Sequence, residues 1–128
     1  MKTKKQFFKE KVEAVTYSMW DLEFKLAKSR QVREGVRQDR DRVAEAVGQV
    51  VAKLSNAGKD KAVIKALEEE RDKLLEDQKR YEAQMAMVDK QINGFNGSDT
   101  EEPVIGILEQ LASLNELKGM YQDFLKKI

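Results

Sequence analysis

The sequence has no cysteine, no histidine and a single proline, and only 7% of its 128 residues are aromatic. The first two absences together remove disulfides, thiol nucleophiles, Cys/His zinc sites, imidazole bases and His-ligated di-iron bundles. One Pro and seven Gly are too few for the closely spaced turns of a β-sandwich or a doubly wound sheet. Long apolar runs are also missing, since nothing approaches the roughly 18 residues of a membrane-spanning helix. The opening Met1-Lys2-Thr3-Lys4-Lys5-Gln6-Phe7-Phe8-Lys9 has no apolar core of a signal peptide. The expectation is therefore a soluble, uncleaved, cytoplasmic chain that is not an enzyme and carries no catalytic, cofactor or metal site.

What is present is charge of both signs, 24 Lys and Arg against 23 Asp and Glu for a net of +1, and a regular apolar pattern. Steps of four and three residues alternate through Phe8, Val12, Val15, Met19, Leu22, Leu26, Ser29, Arg33, Val36, Arg40, Val43, Val47, Val50 and Leu54. A seam repeating every 3.5 residues is how helices pack knobs-into-holes at a shallow angle. The spacing predicts a first helix over about residues 3–55, some 80 Å long at 1.5 Å per residue. Asn56-Ala57-Gly58 marks its stop, and Asp60 is placed to cap the next helix. A second seam, Ile64, Leu67, Arg71, Leu74, Gln78, Tyr81, Met85, Val88 and Ile92, predicts a second helix over about 60–92. The short connection makes these antiparallel neighbours in a coiled-coil-like hairpin with its tip near Gly58.

Residues 93–102 read as a loop, with Asp99 or Thr100 available to cap a third amphipathic helix over about 103–127. Glu101, Glu102 and Pro103 suit its first turn. Its apolar stripe, including Leu111, Leu114, Tyr121 and Phe124, is broader than one seam needs, so burial on more than one side is expected. The fold class is all-α, one helical domain over 1–128, in which the third helix either continues along the N-terminal half of the first or folds back into a bundle. Gly35 and Gly48, inside the first helix, suggest close helix contact or a bend.

A row of Tyr17, Trp20 and Phe24, with Phe7 nearer the N-terminus, reads as lying beside the seam and needing cover. Its plainer reading is core; the functional one is an interface completed by the third helix or by a second copy of the chain, where Trp and Tyr would dominate the energetics. Four arginines, Arg30, Arg33, Arg37 and Arg40, share one helical face and could grip phosphates or an acidic partner protein. The plainer reading is again stronger: Arg33 and Arg40 are seam residues with Asp77 and Glu82 in reach across the hairpin, a pairing that fixes register. Residues 1–11 carry five Lys, Lys4 and Lys5 among them, against one Glu. They read first as a solubilising end whose two Phe begin the core, and second as an anion-binding segment that Lys126 and Lys127 join when the third helix runs antiparallel to the first. Glu68-Glu69-Glu70 diverge by about 100° per residue on a helix and form a solvated face rather than a cation site. The functional expectation is a scaffolding or assembly protein that binds itself, as a dimer or larger, and another protein. The alternative is a nucleic-acid accessory protein using the Arg30–Arg42 ridge and the N-terminal lysines, with membrane attachment the weakest of the three.

Overall fold

The computed structural model describes residues 1–95 and 100–128 and contains three helices: α1 (Lys4–Ser55), α2 (Lys61–Asn93) and α3 (Ile107–Lys127). The chain is all-α; α1 packs on α2, and α3 packs against α1. Contacts cluster into two units, one of residues 1–30 with 89–128 and one of residues 31–88.

In the second unit the C-terminal half of α1 and most of α2 form the hairpin. Gly58 takes φ 68°, the left-handed conformation that ends a helix cheaply only at glycine. Asp60 caps α2, its Oδ1 accepting from the amides of Ala62 at 3.1 Å and Val63 at 3.4 Å. Every α1 position of the seam from Arg33 to Leu54, and every α2 position from Ile64 to Val88, is buried or half-buried. The layer is thin, with Val50 and Met85 its only buried apolar side chains. Gly35 and Gly48 meet nothing within 4 Å of a built Cβ, so neither marks a close helix contact.

In the first unit α3 lies along the N-terminal half of α1, the first of the two arrangements considered above. The Phe8 ring stands 5.2 Å from Phe124 and 6.2 Å from Tyr121, which sets the C-terminal end of α3 beside the N-terminal end of α1. The two helices therefore run antiparallel. Val15, Leu26, Ile92 and Ile107 are its buried apolar side chains. A reciprocal capping box starts α1: Thr3 Oγ1 accepts from the Gln6 amide at 3.1 Å while Gln6 Oε1 accepts from the Thr3 amide at 3.0 Å.

The start of α3 differs from expectation. Glu101, Glu102 and Pro103 are not in its first turn, because the chain stays non-helical to Gly106, the N-cap, which makes no side-chain capping bond. The Val104 amide instead donates to the Gly94 carbonyl at 2.8 Å, tying this link to the end of α2. Lys90 and Glu101 form an ion pair across the same junction. The proposed cap Asp99 lies outside the described residues; Thr100 is described and precedes the helix by several residues.

Candidate functional site

The aromatic row does not lie beside the seam. At 100° per residue, Tyr17, Trp20 and Phe24 stand about 130° to 170° around α1 from the mean direction of the neighbouring seam positions Val15, Met19, Leu22 and Leu26. They lie on the back of the helix and not beside the seam. Packing of α3 at the seam cannot reach them, and they are 66%, 59% and 69% exposed. Tyr17 and Trp20 meet edge to face, their centroids 5.4 Å apart, so the row is a preformed ridge. Neither the core reading nor cover by the third helix of the same chain survives.

The predicted interface residues divide accordingly. Leu111, Leu114 and Tyr121 are half-buried on the covered side of α3, while Phe7 and Phe124 are partly exposed where α3 meets the start of α1. Only one side of the α3 stripe is covered: Leu108, Met120 and Ile128 remain exposed, contrary to the expected burial on more than one side.

Two of the four ridge arginines, Arg37 and Arg40, are paired with acids of their own helix. Arg37 holds Glu34 in a two-pronged contact, with its Nε 3.0 Å from the carboxylate, and donates to Asp41 at 2.8 Å. The hydrogen bond from Arg37 lowers the Glu34 carboxyl below its ordinary value, and the same bond raises the Arg37 guanidinium. Arg40 pairs with Asp41 at 3.2 Å and Arg42 with Asp39 at 3.6 Å. The expected cross-hairpin pairing of Arg40 with Asp77 is not formed, because Asp77 pairs with Arg80 one turn along α2 at 3.2 Å. Arg33 is half-buried on the seam, as its spacing requires. Arg30 is exposed and has no ion-pair partner among the described residues. Sequence spacing found the shared face but not these local partners, since i,i+3 and i,i+4 pairs compete with reaching across a hairpin.

The lysines are different. Lys2 pairs with Glu10, and the Lys11 ammonium sits 5.3 Å over the Phe7 ring. Lys4, Lys5, Lys9, Lys126 and Lys127 are exposed and carry no ion pair among the described residues. The first turn of α1 contains no acid, so Lys4 and Lys5 oppose its helix dipole, whereas Lys126 and Lys127 suit the C-terminal end of α3. No described helix is long and apolar enough to cross a membrane. Glu68, Glu69 and Glu70 are all exposed on α2. No protein-family model, no curated protein and no solved structure matches the chain.

Proposed function

We propose that the protein is a non-catalytic binding and assembly protein that pairs with a second copy of itself through the back of α1. The outward ridge of Tyr17, Trp20 and Phe24 carries this reading. Three aromatic side chains exposed by about two thirds offer on the order of 400 Å² of ring surface per copy. Two copies facing one another would bury on the order of 800 Å² from the rings alone, short of the roughly 1,200 Å² of a stable interface. The ridge is thus the centre of the contact, with a polar rim completing it.

The rim is self-complementary when two α1 helices meet antiparallel about a two-fold axis near Trp20. Facing positions then have numbers that add to about 41. That sets Tyr17 against Phe24 of the other copy and Glu13 against Lys28, all four on the same side of the helix, and brings Glu10 to Gln31. A parallel pairing would instead set Glu13 on Glu13 and Lys28 on Lys28. The thin core favours the same conclusion, because a chain with so few buried side chains gains much from an added layer.

The test is a charge swap read by sedimentation equilibrium. Glu13→Lys weakens association by setting like charges together, and the double variant Glu13→Lys/Lys28→Glu restores it. Equal association of all three proteins would remove the antiparallel contact. An assembly centred on apolar rings also depends on salt only weakly, through its charged rim, whereas nucleic-acid binding through arginines falls steeply between low and physiological salt.

A further inference from the structure

We infer that the end of the first unit, where the start of α1 meets the end of α3, is a docking surface for an anionic lipid bilayer. The structure supplies what the sequence left conditional. The Phe8–Phe124 contact fixes the antiparallel course of α3. Lys4 precedes Phe8 by one helical turn and Lys127 follows Phe124 by about one turn, so both project past the ring pair at the same end. Lys5, Lys9 and Lys126 belong to the same two helix ends.

Three observations join here. The five lysines are exposed without an ion-pair partner among the described residues, unlike Arg37, Arg40 and Arg42, whose charges are already answered. Exposed aromatic surface lies among them, since Phe7 and Phe124 flank Phe8 at centroid distances of 5.3 and 5.2 Å and both remain partly in water. An open groove of about 420 Å³ at this end is lined by Lys2, Thr3, Lys4, Phe7 and Phe8.

Rings that enter the headgroup boundary, ringed by ammonium groups on long stems, match the chemistry of an anionic lipid interface. The acids nearby are few: Glu10, already held by Lys2, with Glu13 and Asp123. Nucleic acid fits less well, because residues 1–11 and 118–128 contain no arginine and the described residues form no sheet on which bases could stack. This surface is separate from the back of α1 and does not depend on self-association.

The experiment is flotation of the full chain with vesicles of phosphatidylserine in phosphatidylcholine, against vesicles of phosphatidylcholine alone and a duplex DNA control. The protein is expected on the anionic vesicles and not on the neutral ones. Lys126→Gln/Lys127→Gln is expected to weaken binding about 25-fold, fivefold for each charge removed, and Lys4→Gln/Lys5→Gln by as much. Phe7→Ser is expected to weaken vesicle binding with every lysine in place. These side chains are exposed, and circular dichroism verifies that helicity is kept. No binding to anionic vesicles overturns the inference, as does equal binding to neutral ones. So does full binding by the Lys126/Lys127 variant, which would mean that the two helix ends do not act together. Tighter binding to DNA through the same lysines, unaffected by Phe7→Ser, overturns it in favour of nucleic acid.

Discussion

A Cβ placed on Gly106 would stand 2.6 Å from the Gly94 amide nitrogen and 2.6 Å from the Ile92 carbonyl oxygen. Two stretches of backbone meet there, and both glycines are buried. Backbone cannot move aside as a flexible side chain can. The Gly106 torsions, φ −82° and ψ 167°, suit any residue, so contact alone demands glycine. Gly106→Ala is expected to lose about 1–3 kcal/mol of stability through overpacking, measured by urea unfolding. An unchanged midpoint would mean that the α2–α3 junction is looser than described.

The glycines inside α1 should behave oppositely. Gly35 and Gly48 face open space, so Gly35→Ala and Gly48→Ala add helix propensity without a clash. Each is expected to gain about 0.5–1 kcal/mol by the same unfolding measurement. A loss at either position would point to a contact that the structure does not contain.

Glu34 and Arg37 give a pH signature. The Arg37 hydrogen bond lowers the Glu34 carboxyl in the folded chain, so the pair's contribution is complete above the unfolded carboxylate value and is lost as pH falls through the lower folded value. Both groups are exposed and the effect on stability is small. A carbon-detected NMR titration should show the Glu34 midpoint below the ordinary glutamate range, rising towards it in Arg37→Gln. The same midpoint in both proteins would show that Arg37 does not hold the carboxylate.

Arg40 occupies a seam position yet pairs, among the described residues, only with the adjacent Asp41. Replacing a half-buried guanidinium in an apolar row by a hydrocarbon removes a desolvation cost, so Arg40→Leu is expected to keep the helicity of α1 and to hold or raise the unfolding midpoint. A clear loss of stability would assign Arg40 a structural partner beyond Asp41.

Much of this architecture was legible because a two-helix seam is a local pattern repeated many times. Every seam position from Phe8 to Leu54 and from Ile64 to Ile92 is buried or half-buried, and the tip at Gly58 with its Asp60 cap follows turn chemistry within a few residues. The start of α3 was not legible for a physical reason. Its position is set by Gly106 packing on Gly94 and by the bond from Val104, contacts that span the connection back to the end of α2 and override the capping chemistry offered by Thr100 to Pro103. The aromatic row is plain in the sequence, and the side it faces follows from the helix period. Counting 100° per residue from the seam puts Trp20 on the outer face, where it lies 59% exposed. The lysine end was half-legible, since both basic segments are plain but only the Phe8–Phe124 contact joins them.

The central claim, that the back of α1 pairs two copies, is tested most directly by sedimentation equilibrium of the protein beside its Trp20→Ser variant at physiological salt. Trp20 is exposed in the single chain and the substitution leaves the seam untouched, so helicity by circular dichroism should be unchanged. The account predicts a dimer or larger assembly for the protein and a shift to monomer for the variant, a loss of association of at least about tenfold, as for a central aromatic hot spot. A monomeric protein, or an assembly that Trp20→Ser leaves intact, would contradict it.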